Sequence, residues 1–319
     1  MSDSLPSVTV IIPTRPDLAE ILAVTGARAL DYPRDRLEIL VARGKQPSVQ
    51  RNTALKSARG ELICFLDDDS LAPPGHLRRA VAHFRDPKVQ IVGGPNVCPP
   101  DAPELEQVFA LVLASWLAFG PSRARYAPVG AVRATGEKEL ILCNLLARRA
   151  PLLELGGFNE ALYPNEENAL MDELQKRGGK LLYDPELSVS RRPRRTLAAF
   201  AKMLLNYGRG RAEQFRETPT LGSALNFVPP GFLVYVVALP GLWFSIGKIA
   251  LLPLGGYALA VLGQGLALVA RGGLIRSLGA LPLIVLTHLL YGFGFWRGLF
   301  TKLKAPGERA NVPVTLERI

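Results

Sequence analysis

Cysteine is scarce in this chain, whose 319 residues include only Cys64, Cys98 and Cys143. An odd and sparse set argues against a disulfide framework and favours a reducing compartment. No cysteine lies in a Cys-x-x-Cys or Cys/His cluster, so we expect no structural zinc site. The first residues, MSDSLPSVTV, lack the basic segment and apolar core of a signal peptide, and we expect the N-terminal part to stay in the cytoplasm.

Acidic residues are fewer than basic ones: the chain has 28 Asp and Glu and 38 Lys and Arg, which gives a formal net charge of +10. Such a balance suits an anionic partner: nucleic acid, a membrane surface or a phosphorylated substrate. The arginine cluster RRPRR, residues 191 to 195, has no aromatic-studded sheet or nucleic-acid recognition motif beside it. We therefore expect no nucleic acid as partner and favour lipid head groups or a carrier diphosphate.

Long apolar runs are missing before about residue 226, and then three follow one another, at residues 227–247, 249–270 and 278–296. Each is close in length to the ~20 residues that an α-helix needs to cross a bilayer. We predict a membrane region over 226–300, a basic tail over 301–319, and a multi-pass protein of the inner cell membrane. Three crossings would separate the basic tail from the cytoplasmic part, against the positive-inside rule. Either one segment is re-entrant or interfacial, or the rule fails here.

Residues 1–225 have the alternation of strands and helices that predicts an α/β fold with a mostly parallel, Rossmann-like sheet. Apolar residues 102–120 fit either a buried core helix or a helix lying in the membrane interface. The predicted strands are 7–12, 37–41, 61–66, 89–92, 138–143 and one near 180.

Three aspartates, Asp67 to Asp69, follow the apolar run ELICFL directly. In an open parallel sheet, ligands bind at the carboxyl ends of the strands. Side chains alternate along an extended chain, so Asp67 and Asp69 point to one side and Asp68 to the other. Two carboxylates on one side can hold a hard divalent cation, Mg²⁺ or Mn²⁺, which removes their repulsion and clamps a diphosphate.

The ordered segments VTVIIPTR, QRNTALKSARGELICFLDDD, LGGFNE and NEENALMDELQKRGGK resemble family 2 glycosyltransferases of the GT-A fold. The resemblance covers about residues 5 to 195. The stretches GGPN, RRPRRT and YGRGRAEQ and the apolar C-terminal segments are similar to the membrane-bound branch that builds succinoglycan-type exopolysaccharides. The resemblance implies a GT-A nucleotide-sugar-binding fold followed by transmembrane helices.

The resemblance also implies site residues, position by position. Asp67 and Asp69 match the metal-binding Asp-x-Asp, and Glu166 and Glu167 match an acidic pair whose second member is the base. Glutamate replaces the usual aspartate at 167. The implied donor-binding residues are Pro13, Thr14, Arg15, Arg51, Asn52, Asp67 and Asp68. The implied acceptor-side residues are Gly156, Gly157 and Phe158, to which we add Arg191 and Arg192.

Local features allow a plainer interpretation of the acidic pair. Asn165 is a plausible N-cap, and acidic residues in a first helical turn interact well with the helix dipole without any catalytic duty. The sequence also departs from the family after the second strand, where VARGK replaces an acidic turn that contacts the nucleotide base. The identity of the donor base is therefore open.

We expect an inverting glycosyltransferase that moves a sugar from a nucleotide-sugar donor to a lipid-linked polyprenyl-diphosphate saccharide. A polyprenyl-phosphate acceptor is the alternative. Two rivals from other classes remain: a metal-dependent phosphatase using Asp67 as nucleophile, and a non-catalytic membrane scaffold with a degenerate nucleotide fold. The phosphatase does not explain the Gly-Gly-Phe turn at 156–158, and the intact acidic motifs argue against the scaffold.

Overall fold

The structure is a computed structural model that describes residues 5–162, 165–217, 219, 221–303 and 313–319. Its contacts divide the chain into two compact units. The first unit comprises the described parts of residues 1–99, 124–191 and 304–319, and the second comprises 100–123 and 192–303. The predicted boundaries at 225 and 300 remain predictions, and residues 304–312 of the predicted tail lie outside the described part.

The first unit is built on a sheet in the order β10-β2-β1-β3-β7-β4-β8-β6, beside a two-stranded sheet of β5 and β9. Strands β1, β2, β3, β4 and β8 run one way, and β6, β7 and β10 run the other. The mostly parallel sheet is thus confirmed. The strands are β1 (Val8–Thr14), β2 (Leu37–Arg43), β3 (Leu62–Leu66), β4 (Val89–Gly93), β5 (Asn96–Val97), β6 (Arg133–Thr135), β7 (Asn144–Arg148), β8 (Lys180–Tyr183), β9 (Val189–Ser190) and β10 (Thr315–Arg318).

Helices cover both faces of this sheet because its central strands are apolar throughout, and every residue of β1 and β3 is buried. One apolar cluster packs α1 and α3 on one face, and a second packs α2, α6 and α7 on the other. The helices are α1 (Leu22–Arg28), α2 (Pro47–Ser57), α3 (His76–Ala82), α6 (Arg149–Glu154) and α7 (Glu166–Lys176).

The second unit has helices and no strand among its described residues. Its helices are α4 (Glu104–Leu113), α5 (Trp116–Phe119), α8 (Leu197–Glu217), α9 (Val228–Ile246) and α10 (Leu252–Phe300). Gly273 has φ 75° and ψ 171°, so α10 is two helical halves that meet there. Gly247, with φ 64°, ends α9. The three predicted apolar segments therefore correspond to α9 and the two halves of α10.

One predicted strand differs from the structure, and the C-terminal strand was not predicted. The strand predicted over 138–143 is wrong: the chain forms a short 3₁₀ turn at Glu137–Glu139, and the strand is β7, Asn144–Arg148. The apolar run LILC preceding β7 has the composition of a strand but supplies core side chains from a loop, with Leu140 and Leu142 buried. The C-terminal strand β10 was missed, because its partner β2 lies more than 250 residues earlier.

Candidate active site

The three aspartates lie where two neighbouring strands end. Asp67 to Asp69 follow β3, and Thr14 is the last residue of β1, which pairs with β3 in parallel. Thr14 Oγ1 donates a hydrogen bond to Asp68 Oδ2 over 2.9 Å. Burial raises the pKa of Asp68, the Thr14 hydrogen bond opposes this, and the charges of Asp69 and Asp67 raise it further. Asp68 thus turns toward β1, away from the side that its neighbours share.

Two guanidinium groups offset the repulsion between the flanking carboxylates. Arg191 reaches both of them, with Nη2 3.1 Å from Asp67 Oδ2 and Nε donating to Asp69 Oδ1 over 2.5 Å. Arg51 Nη2 donates to the other oxygen of Asp67 over 2.9 Å. Since one guanidinium touches Asp67 and Asp69 together, their carboxylates converge on a single cation position. The three aspartates lie in a turn, closed by the Ser70 N–H on the Asp67 carbonyl over 3.0 Å, and not in the extended chain from which the alternation was predicted.

Arg51 also connects the aspartates to the acidic pair at the start of α7. Its Nη1 lies 3.4 Å from Glu166 Oε1, and both side chains are buried. Glu166 Oε2 accepts the backbone N–H of Asn165 over 3.1 Å. Burial raises the pKa of Glu166, the charge of Glu167 adds to the rise, and Arg51 opposes it. Glu167, the next residue, is only partly buried. The structure therefore separates the pair into a buried, arginine-bound member and a more accessible one.

Asn165 precedes α7 but does not cap it through its side chain. Its backbone is left-handed, with φ 117°, and its Oδ1 accepts from Asn168 Nδ2 over 2.8 Å. A left-handed non-glycine residue costs on the order of 1–3 kcal/mol, and such strain tends to gather at functional sites. Asn165 is the N-cap residue, as predicted, but its side chain makes no capping hydrogen bond. The Glu166 carboxylate instead accepts the backbone N–H of Asn165.

Asn52 binds the Gly-Gly-Phe turn. Its Nδ2 donates to the Phe158 carbonyl over 2.9 Å and to Glu160 Oε1 over 2.9 Å, and its Oδ1 accepts the Phe158 N–H over 2.8 Å. Gly157 has φ 83°, and a Cβ there would lie 2.3 Å from Asn52 Oδ1. Asn52, the residue after Arg51 in α2, thus binds the turn to that helix. The structure gives Asn52 a structural duty, and its donor-binding role stays a prediction.

We expect Asn52→Ala to loosen this turn. The change removes a buried amide and leaves the Phe158 N–H and C=O without their partner, which costs about 2–4 kcal/mol of unfolding free energy for the group of bonds. Lys56→Ala, on the exposed side of the same helix, is the matched control. Urea unfolding measures both variants. Equal stability of the two would contradict the role given to Asn52.

The remaining predicted residues lie in three places. Pro13 is buried in β1 beside Thr14, and Arg15 is exposed just after the strand. Gly156 and Phe158 lie in the turn, and Phe158 packs edge-on against Phe65 of β3 with centroids 5.3 Å apart. Arg191 contacts the aspartates rather than the turn. Arg192 belongs to the second unit, where its Nε donates to Glu106 Oε2 over 2.7 Å.

The sequence did not indicate Gln50 as part of the site. Its Nε2 donates to the carbonyls of Thr14 over 2.7 Å and Ala42 over 2.5 Å. It thereby joins the carboxyl ends of β1 and β2 behind the aspartates. No sequence signal singles out Gln50, because its buried neighbours on α2 include the polar residues Ser48, Arg51 and Asn52.

Within the described residues, no group of three or more His, Cys, Asp or Glu side chains is arranged to hold a metal ion. The candidate ligands are two carboxylates, Asp67 and Asp69. The Arg191 guanidinium marks the position between them that favours positive charge. A hard cation with oxygen ligands suits that donor set, provided that phosphate or water oxygens complete the shell.

Comparison with known proteins gives the same family as the sequence motifs. Residues 34–110, which contain α2, β3 and the aspartates, match the model of the family described as Glycosyl transferase family 2. The chain therefore resembles a family 2 glycosyltransferase in this region. It is 30% identical over 158 residues to the Succinoglycan biosynthesis protein ExoA of Rhizobium meliloti, covering 49% of this chain and 47% of that protein. The resemblance to succinoglycan-type proteins is thus confirmed.

A second curated relative and one solved structure complete the comparison. The Pre-mycofactocin glycosyltransferase of Mycobacterium tuberculosis is 28% identical over 141 residues, 44% of this chain and 29% of its own length. The chain thus spans less than half of either curated relative. The chain also superimposes on the mannosyltransferase PcManGT from Pyrobaculum calidifontis with a TM-score of 0.58 and 18% identity, covering 93% of this chain and 88% of that one. The predicted GT-A fold is confirmed.

Proposed function

We propose that this protein transfers a sugar from a nucleotide-sugar donor to a lipid-linked saccharide, a polyprenyl-diphosphate acceptor, in cell-surface polysaccharide synthesis. The observation that carries the proposal is the convergence on Arg51: one buried guanidinium joins Asp67, at the end of β3, to Glu166, at the start of α7. Donor-side and acceptor-side groups therefore form one connected site. The succinoglycan relative supports the polysaccharide context.

Asp67 and Asp69 are the residues that would hold a divalent cation, Mg²⁺ or Mn²⁺, since their carboxylates converge on one position. Such an ion supplies charge neutralisation on the departing nucleoside diphosphate. The solved mannosyltransferase of the same fold was in complex with GDP-Man and Mn²⁺. In the structure the Arg191 guanidinium contacts both carboxylates, and its fixed positive charge also suits a diphosphate.

Glu167 acts as the general base in this proposal. It is the more accessible member of the pair, while Arg51 and the Asn165 N–H hold its neighbour Glu166 in place. Glu167 takes the proton of the acceptor hydroxyl as that oxygen attacks the anomeric carbon. The bond to the diphosphate breaks on the opposite face, so that the anomeric configuration inverts. A positioned base of this kind contributes about 10²–10⁴-fold to the rate.

The acceptor requires a membrane, and the second unit has the composition for one. One helical stretch, 224–300, is long and apolar enough to cross a bilayer, or two stretches if the bent pair α4 and α5 counts as another. The net charge of +10 favours the anionic cytoplasmic leaflet. We therefore propose that the protein works on the membrane with its family 2 domain in the cytoplasm.

Thermal stabilisation by a panel of nucleotide sugars, with and without Mn²⁺, tests the donor site. We expect one donor to raise the melting temperature only with the metal, and Asp69→Asn to abolish the shift. Asp35→Asn, at an exposed aspartate of the same unit, is the control that keeps it. A shift that survives Asp69→Asn would refute the site. Stabilisation by simple phosphate esters instead of nucleotide sugars would favour a phosphatase.

A further inference from the structure

The helices of the second unit expose much of their apolar surface. Phe244 in α9 is 88% exposed and Ile275 in α10 is 86% exposed. None of the most apolar window of the stretch 224–300 is buried. Soluble monomers rarely expose contiguous apolar patches of this extent, so the surface needs a partner. Its length and composition fit lipid acyl chains.

We propose that this surface enters the bilayer from the cytoplasmic side only, so that α9 and α10 lie in one leaflet and the chain never crosses. The proposal rests on the membrane association proposed above and adds its topology. Three observations carry it: the pairing of β10, the contacts at the two ends of the second half of α10, and the short excursion of α9.

The pairing of β10 makes an odd number of crossings impossible. This strand follows the apolar helices in the chain, yet it pairs antiparallel with β2 in the sheet that contains β1. Two ion pairs accompany the backbone bonds: Arg43 Nε to Glu317 Oε1 at 2.6 Å and Arg318 Nε to Glu38 Oε1 at 2.9 Å. A hydrogen-bonded sheet cannot be divided by a bilayer. The chain before α9 and the chain after α10 therefore lie on the same side, which excludes three spans.

The kink at Gly273 lies on that same side. Arg276, just after it, makes a two-pronged ion pair with Glu104 at the start of α4, at 2.8 and 2.6 Å. Glu104 is five residues after Pro99, the last residue of the first unit in this part of the chain. Five extended residues reach at most about 18 Å, whereas the hydrocarbon core is about 30 Å thick. The linker is too short to cross, so Glu104 and Arg276 remain on the cytoplasmic side.

The other end of α10 lies on the cytoplasmic side as well. It packs along α8 with both helices running in the same direction, since Leu205 contacts Gly294 and Arg209 contacts Gly298. A Cβ at Gly294 would lie 2.1 Å from the Leu205 carbonyl oxygen, so the two backbones are in direct contact. Arg216 Nη1 donates to the Thr301 carbonyl over 2.5 Å.

Helix α8 fixes the depth of this contact because of its charge. It carries Lys202, Arg209, Arg211, Glu213 and Arg216 within one helix. Each central charge costs about 2.5–3.5 kcal/mol in a bilayer, so α8 lies at the interface or in water. The end of α10 shares that depth. With both of its ends on one side, the second half of α10 lies along the membrane.

The first half of α10 and the helix α9 stay on the same side of the membrane as the second half of α10. Tyr257 Oη and His288 Nδ1 are 2.7 Å apart, so the two halves of α10 lie side by side. In α9, Tyr235 Oη donates to the Ala250 carbonyl over 2.7 Å, which means that the chain has returned by residue 250. The eleven residues from 236 to 246 rise only about 16 Å as a helix. The chain therefore reaches at most about 16 Å beyond the level of Tyr235 before it turns back, which is less than the full core of about 30 Å.

Cysteine labelling of the full-length protein in bacterial inner membranes tests the topology. In a Cys98→Ser background, single changes are made at three exposed positions: Lys248→Cys, Arg271→Cys and Lys302→Cys. The probe is a membrane-impermeant maleimide, applied to spheroplasts and to inverted vesicles. We expect Arg271→Cys and Lys302→Cys to react in inverted vesicles alone, and Lys248→Cys to react from neither side or from the cytoplasmic face.

Each crossing arrangement has its own signature in this experiment. Three spans would make Lys302→Cys react in spheroplasts, and two spans would make Lys248→Cys or Arg271→Cys do so. Either result overturns the proposal while leaving the membrane association intact. A protein that stays in the soluble fraction instead refutes the membrane association itself, and the nucleotide-sugar test above still decides the donor site.

Discussion

Glu167→Gln is expected to lower kcat by about 10²–10⁴-fold, the usual contribution of a positioned general base. The amide keeps the size of the side chain and its place in the first turn of α7, but it cannot accept the acceptor proton. The buried contacts of Arg51 with Asp67 and Glu166 do not involve Glu167, so donor binding should be unchanged. Turnover and nucleotide-induced thermal stabilisation are measured on the same preparation.

Glu173→Gln is the matched control, because Glu173 is on the same helix and, among the described residues, forms salt bridges with its helical neighbours Lys176 and Arg177. It should retain full turnover. A Glu167→Gln enzyme that also retains full turnover would contradict the base role. That result would favour a polyprenyl-phosphate acceptor, whose oxygen is already ionised and needs no base.

The mostly parallel sheet and the position of the aspartates directly after β3 could be predicted because they depend on local sequence. Strand β3 is a run of buried residues that ends where the acidic triplet begins, and β1 is equally apolar. The breaks in the apolar region were also readable, because Lys248, Arg271 and Arg276 interrupt the apolar runs. The structure has glycines with positive φ, Gly247 and Gly273, close to these residues. Such signals need no knowledge of distant partners.

The rest depends on contacts that are distant in sequence. Arg191 follows the short strand β9, and the pairing of β9 with β5 helps to bring Arg191 to Asp69, although the two residues are 122 positions apart in the sequence. From sequence it was one of several basic residues before an apolar region. The segment 313–319 that contains β10 alternates, with Val314 and Leu316 packed on the core, but so short a segment does not indicate which edge of the sheet it joins. The metal prediction likewise overlooked that two arginines already neutralise the aspartates.

Arg51→Met is expected to be the most destabilising substitution in the site, by about 3–5 kcal/mol, because it leaves two carboxylates without their buried cation. Asp67 retains Arg191, whereas Glu166 retains only the Asn165 N–H among the contacts described above. Adding Glu166→Gln to Arg51→Met removes the stranded charge. The double variant should therefore recover about 1–3 kcal/mol of the loss.

The pH dependence identifies Glu166 as the source of this loss. Burial raises its pKa to about 7 in the folded protein, and Arg51 opposes that rise. A carboxyl with a raised folded pKa contributes stability that is complete below its unfolded pKa of about 4.3 and disappears as pH rises through the folded pKa. Without Arg51 the pKa rises further, so the single variant should fall progressively below the double variant as pH is raised from 5 to 8. Urea unfolding across this range measures the gap, with Lys56→Met on the exposed side of α2 as control. A stability difference that is constant with pH would mean that Glu166 does not titrate against Arg51. The connection between the aspartates and the acidic pair would then have to depend on other residues.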